Sequence, residues 1–177
     1  MTNFVTGAGY LVDFVYYGEK DKDIQLYIDK IKNFDPSFGL RIFIESKIHF
    51  KNMRLKQLFE ALKNKLIKRI SISDHCLNND QSRIVLDFLN SPEADYTSFV
   101  LQFKDAENVT EALRAVENRY SFDYGHLTSK DPVSKEAEEL ASKIAESHPS
   151  CMFELNSDIK LIMPMEKRGF MKYHCLV

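Results

Sequence analysis

Residues 66–94, LIKRISISDHCLNNDQSRIVLDFLNSPEA, join a short alternating segment to a polar turn and an amphipathic helix, and the same unit recurs along the chain. Within 70–74, Ile70 and Ile72 point to one side while Ser71, Ser73 and Asp74 fill the other face and its end. A period of two is what a strand covered on one side requires. After the turn at Asn78-Asn79-Asp80, Ile84, Val85, Phe88 and Leu89 recur at three- and four-residue spacing, which places them on one side of a helix. The design can be laid over 10–38, 39–67 and 95–120 as well. Such a chain is confined to parallel strands joined by helical crossovers.

Taken in order, Val12 and Phe14 form the inward face of the first strand, and a helix starting at Asp23 carries Ile24, Tyr27, Ile28 and Ile31 inward before Pro36 stops it. In the second unit Ile42 and Ile44 point in, Arg41, Phe43 and Glu45 point out, and a helix over 52–64 buries Leu55, Leu58, Phe59 and Leu62. The fourth unit points Phe99 and Leu101 inward, and its helix starts at Asn108, where NVTE reads as a capping box with Glu111. The first inward strand positions, Val12, Ile42, Ile70 and Phe99, lie 30, 28 and 29 residues apart. The helix-start residues Asp23, Asn52, Asp80 and Asn108 lie 29, 28 and 28 apart. Two features therefore drift together at nearly one period.

Beyond residue 120 the pattern changes. Residues 121–131 read as a turn-rich connector, and Asp131-Pro132 as the start of a helix with Val133, Ala137, Leu140, Ala141 and Ile144 on one face. The runs at 151–155 and 159–163 read as a β-hairpin, with 169–177 as a third strand. The expected division is a repeated β-α region over 1–124 and a C-terminal helix and hairpin cap over 125–177, in one continuous unit.

At 177 residues and 44% hydrophobic, the chain is long enough to bury one sizeable core. A formal charge of −2 gives no global case for nucleic acid. The charge is uneven: 47–69 hold eight Lys or Arg against one acid, Glu60, and 80–147 hold seven bases against fourteen acids. Ordinary solvated helix faces account for most of this, and an electrostatically directed protein contact is the functional alternative. Cys76, Cys151 and Cys175 are sparse and unpaired in spacing, so the chain is expected to live reduced. Neither a signal peptide nor a membrane span is expected, which points to a cytoplasmic protein or one delivered into a reducing cytosol.

The segment IKRISISDHCL, residues 67–77, resembles the strand pattern of the leucine-rich repeat family in its ribonuclease-inhibitor-like form. Ile67, Ile70, Ile72 and Leu77 match the apolar positions, and His75 stands where the family has Asn; Lys47 and Lys104 occupy that position in the second and fourth units. The resemblance covers 10–120 and implies a short stack of β-α units with a C-terminal α+β cap. It further implies that a partner binds the outward strand positions: Leu11, Asp13 and Val15; Arg41, Phe43 and Glu45; Arg69, Ser71 and Ser73; and Ser98, Val100 and Gln102. Asp74, at the end of the third strand, joins that set. The alternative is a single mixed-sheet α/β domain. The Lys, Asn, Ile and Phe usage resembles that of an AT-rich genome and is compatible with an injected effector of an intracellular bacterium.

No motif names a chemistry. Metal-ligand spacing is missing, and VTGAGYLV has its glycines before the first strand rather than after it, so no phosphate loop, metal or cofactor is expected. Glu136, Glu138 and Glu139 read as a solvated helix face, with Glu139 pairing to Lys143. The expected function is a protein–protein interaction module with no assigned catalytic residue. The alternative is a small hydrolase or transferase whose site assembles in space around Asp74, His75 and His126, with Cys76 beside His126 as one further arrangement. Oligomeric state is left open.

Overall fold

The computed structural model describes residues 6–7, 11–17, 21–35, 37–45, 51–95, 97–117, 124–147, 152–155 and 160–162. Alternating strands and helices follow one another as the periodicity requires. They are β1 (Thr6–Gly7), β2 (Leu11–Tyr16), α1 (Asp21–Lys32), β3 (Gly39–Glu45), α2 (Asn52–Leu62), β4 (Ile67–Leu77), α3 (Asn79–Leu89), a 3-10 turn (Pro92–Ala94), β5 (Ser98–Phe103), α4 (Ala106–Val116), β6 (Tyr124–Ser129), α5 (Lys135–Ser147), β7 (Met152–Leu155) and β8 (Lys160–Ile162).

All eight strands form one sheet whose spatial order is their sequence order. Strands β2 to β7 are parallel, and β1 and β8 pair antiparallel at the two edges. The domain is thus an α/β sheet of six parallel strands flanked by five helices. Each crossover moves one strand onward, and consecutive helices pack side by side, α1 on α2 through to α4 on α5. Crossovers of one hand in one direction put the helices in a single layer.

The burial pattern agrees. Phe14, Ile42, Ile44, Ile70, Ile72, Phe99, Leu101, Phe103 and Leu127 are buried on the helix side. Against them pack Ile28, Ile31, Leu55, Leu58, Leu62, Val85, Leu89, Val109, Leu113, Ala141 and Ile144 from the helices. The alternating strand residues on the other side, such as Asp13, Val15, Arg41, Phe43, Val100 and Gln102, are only half-buried.

Two polar side chains trapped in this core are paired, as burial demands. Tyr27 donates its hydroxyl to the Phe14 carbonyl at 2.9 Å, and Thr97 donates to the Ile67 carbonyl at 3.0 Å. Burial pushes the Tyr27 phenol well above its ordinary 10.0. Lys65 donates to the carbonyls of Phe34 at 2.8 Å and Lys32 at 3.3 Å, placing a cation at the negative end of α1. Just before it, Asn64 takes φ 60°, a left-handed conformation that Asn tolerates and that turns the chain from α2 toward β4.

Several expectations need correction. Phe14, not Val12, is the register partner of Ile42, and Val12 pairs with Leu40. The aligned inward positions Phe14, Ile42, Ile70 and Phe99 are therefore spaced 28, 28 and 29, closer to a constant period than the sequence alignment had them. Residues 121–131 are not merely a connector: Tyr124–Ser129 is β6, parallel to β5, and β7 continues the parallel sheet beyond it. Helix α5 starts at Lys135, where the Ser134 hydroxyl accepts from the Ala137 amide at 3.1 Å, rather than at Asp131. The expected hairpin at 151–163 is present as β7 and β8, and the proposed strand at 169–177 lies outside the described residues.

Candidate functional site

On the side of the sheet away from the helices, register fixes which outward side chains are neighbours. Asp13, Arg41, Arg69 and Ser98 stand on one line across β2 to β5. The next line, two residues further along each strand, is Val15, Phe43, Ser71, Val100 and His126. Glu45 and Ser73 are paired on the third. Side chains on such lines meet because outward positions repeat every second residue and strands lie about 4.8 Å apart. The outward positions expected from the sequence thus form one surface, with Ser71 the most shielded and Glu45 exposed.

Charge on this surface is concentrated in the first line. Arg41 holds Asp13 through two bonds, Nε to Oδ1 at 2.5 Å and Nη2 to Oδ2 at 2.8 Å. Arg69, directly opposite Arg41, lies with its guanidinium carbon 5.6 Å from the centre of the Phe43 ring. Like charges at paired positions oppose each other, and a carboxylate and an aromatic face both relieve that opposition. The result is a paired Asp13, Arg41 and Arg69 next to an aromatic ring, bordered by the small uncharged side chains of Ser71, Ser98 and Val100.

Strand β4 is longer than 70–74 and is interrupted. Its register with β5 jumps from Ile72↔Leu101 to Cys76↔Gln102, so Ser73, Asp74 and His75 bulge past the β5 ladder. Cys76, Gln102 and Thr128 then share a line on the strand side. His126 is not a loop residue but belongs to β6, two residues before Thr128. Its backbone is separated from that of Cys76 by two strand spacings, about 10 Å across, and about 7 Å along the strands. Register therefore does not bring His126 next to Cys76, and it places His126 level with Ser71 rather than with the bulge carrying Asp74 and His75. Burial, against smaller charge effects, holds the Cys76 thiol above its usual range, the opposite of an activated nucleophile.

Among the described residues no group of three or more His, Cys, Asp or Glu is placed to hold a metal. No helix among them is long and apolar enough to cross a membrane. Two basic side chains of α2 and its end have local partners: Lys63 pairs with Glu60 at 2.9 Å, and Arg54 bonds to Gln25 and, at 2.8 Å, to Gln57. On α5, Glu139 pairs back to Lys135 at 3.2 Å, while Lys143 reaches Glu117 at 2.5 Å.

One feature was not found from the sequence. Phe59 and Phe88, with ring centres 5.0 Å apart, floor a groove of about 520 Å³ between α2 and α3, walled by Lys56, Lys63, Asp87 and Glu93. The only sequence signal was that both aromatics sit at the edge of their helices' apolar stripes. A scan of the chain against protein-family models finds no match, and no curated protein matches it either.

Proposed function

We infer that the chain is a short leucine-rich-repeat-like stack that acts as a protein-interaction module and binds a protein partner through its strand-side surface. The observation that supports this is the in-register alignment of Phe14, Ile42, Ile70 and Phe99 at 28- and 29-residue spacing, with their outward neighbours held on shared lines. An arrangement of this kind keeps one face for the core and leaves the other as a continuous surface of alternating side chains. Phe43, under the Arg69 guanidinium, is the aromatic anchor of that surface, and Asp13, Arg41, Glu45, Ser71 and Ser73 surround it. Asp74 belongs at its border through its place in the β4 bulge. Contact areas of this character concentrate binding in a few aromatic and arginine side chains.

The test is site-specific photo-crosslinking in lysate of the source cell. A photoreactive amino acid in place of Val100 reports on the strand side, and one in place of Met53, exposed on α2, reports on the helix side. Adducts formed through position 100, and lost in the folded Arg41→Glu/Arg69→Glu variant, support the module. Adducts through position 53 alone would reassign the interaction to the helices.

A further inference from the structure

We propose that the groove between α2 and α3 binds an aromatic α-amino acid as its zwitterion, with the ring against Phe59 and Phe88, the carboxylate at Lys56 and the ammonium at Asp87. The groove lies on the helix side of the sheet and is independent of the strand-side surface. Its volume of about 520 Å³ falls within the range of small-molecule pockets, about 300–1,000 Å³.

The apolar floor limits what can fill it. Phe59 comes from α2, and Ile84 and Phe88 come from α3, one turn apart and so about 6 Å along the helix axis. Towards the helix starts, Asn52 donates to Asp80 at 3.2 Å and ties the first turns of the two helices together. Towards the helix ends, Lys63 pairs with Glu60 at 2.9 Å, and α3 gives way to the 3-10 turn that carries Glu93. Polar contacts thus bound the floor on both sides. The apolar length between them suits one ring and falls short of the stripe that an amphipathic helix lays into a groove. Phe59 and Phe88 are 7% and 8% exposed, so the core holds the rings in place and the floor is formed before a ligand arrives. A third ring adds an aromatic contact to a pair already 5.0 Å apart.

Charge decides the class of ligand. Three of the five charged side chains lining the groove are engaged locally: Lys63 with Glu60, and Glu93 with its own amide and with Ser91. The side chains of Lys56 and Asp87 enter no ion pair or hydrogen bond among the described residues. They stand on opposite walls, each three residues from a floor residue of its own helix, Lys56 from Phe59 and Asp87 from Ile84. An amino acid that points its ring at the floor directs its carboxylate and ammonium to opposite sides of the α-carbon, one to each wall. A simple amine or carboxylic acid leaves one wall unmatched, and a residue inside a polypeptide carries neither charge.

Amide shifts in hydrogen–nitrogen correlation NMR spectra of the full-length protein test this. L-Phenylalanine is expected to move amides of residues 56–60 and 84–88 with a dissociation constant on the order of 1 mM, the strength open to a ligand of about a dozen heavy atoms. Phenethylamine, which lacks the carboxylate, and hydrocinnamate, which lacks the ammonium, are expected to bind about threefold to fivefold more weakly, the scale of one exposed ion pair. N-acetylphenylalanine amide, with neither charge, is expected to be about tenfold weaker or worse. Lys56→Gln is expected to weaken phenylalanine about threefold to fivefold and leave phenethylamine unchanged; Asp87→Asn is expected to weaken it equally and leave hydrocinnamate unchanged. Lys56→Glu and Asp87→Lys each lose phenylalanine, and Lys56→Glu/Asp87→Lys together regain it, a recovery that misfolding cannot imitate.

No shift of these amides at roughly ten times the expected dissociation constant overturns the proposal, as does equal binding of the zwitterion and its two singly charged analogues. N-acetylphenylalanine amide binding as tightly as the free amino acid also overturns it, because it assigns the groove to an aromatic side chain of a protein partner. L-Leucine binding as tightly as L-phenylalanine removes the aromatic class. Shifts of the same amides on dilution of the protein alone assign the groove to a second copy of the chain and overturn it as well.

Discussion

Arg41 spans both carboxylate oxygens of Asp13, its register partner on the neighbouring strand, at 2.5 and 2.8 Å. The side chains are 36% and 18% exposed, so water competes with the pair without displacing it. Solvent screening holds an ion pair of this kind to about 1 kcal/mol or less. Asp13→Ala is therefore expected to lower stability by about 1 kcal/mol, with a coupling to Arg41→Ala of about 0.5 kcal/mol in a double-mutant cycle. Urea unfolding of the four proteins measures it.

Tyr27 ties α1 to β2 by a single buried hydrogen bond to the Phe14 carbonyl. Tyr27→Phe keeps the ring against Phe14 and Tyr16 but removes that buried bond, at a cost of about 1 kcal/mol. The pH dependence has a definite sign. Because the folded phenol titrates well above 10.0, the folded state keeps a proton that the unfolded chain releases. This contribution is fully present below the unfolded value and is lost as pH rises above it toward the folded value. Unfolding measured through that alkaline window is expected to show a fall in stability that is smaller in Tyr27→Phe.

The helix starts separate what the sequence made legible from what it did not. Asn78 caps α3 with a reciprocal pair: its side chain accepts from the Gln81 amide at 3.0 Å, and Gln81 accepts from the Asn78 amide at 3.1 Å. The pattern chosen from the sequence, Asn108 with Glu111, lies inside α4, whose cap position is Asp105. Asn52, Asp80 and Asn108 nonetheless all fall in the first turn of their helices. Asn52 donates to Asp80 at 3.2 Å, and Asn108 to Asn79 at 3.3 Å, each bond running from one helix to the next. Their period was legible because stacked units place like residues side by side. Their role was not, since an Asn within a first turn and an Asn at a cap differ by backbone angles that spacing does not encode. Asn78→Ala is expected to cost about 1 kcal/mol, and Asn108→Ala less than about 0.5 kcal/mol, by chemical denaturation.

The strand-side surface was legible for a related reason. Alternation determines which residues point away from a helix-covered face, so Arg41, Phe43, Ser71 and Val100 could be placed together once the units were aligned. The bulge at 73–75 could not, because an insertion in one strand is visible only against its partner's register. The α2–α3 groove escaped notice because Phe59 and Phe88 satisfy the core pattern, and only the packing of the two helices leaves their rings at its floor.

Strand β6 shows the limit of alternation as a guide. In YGHLTS, Gly125 takes an inward position with no side chain, leaving Leu127 as the apolar mark on that face. A single apolar residue among Gly, His, Thr and Ser reads as a turn. Yet Leu127 is fully buried beside Leu101 and Leu155, its register partners in β5 and β7. If residues 124–129 merely linked two regions, Leu127→Ala would change stability by less than about 0.5 kcal/mol. As a core position in a continuous parallel sheet it is expected to cost about 2–5 kcal/mol, the range for deleting a buried leucine side chain. Denaturant unfolding followed by circular dichroism distinguishes these values. A single transition shifted to lower denaturant shows that the hairpin end and the repeated units share one cooperative core, whereas two separated transitions would place a boundary at β6.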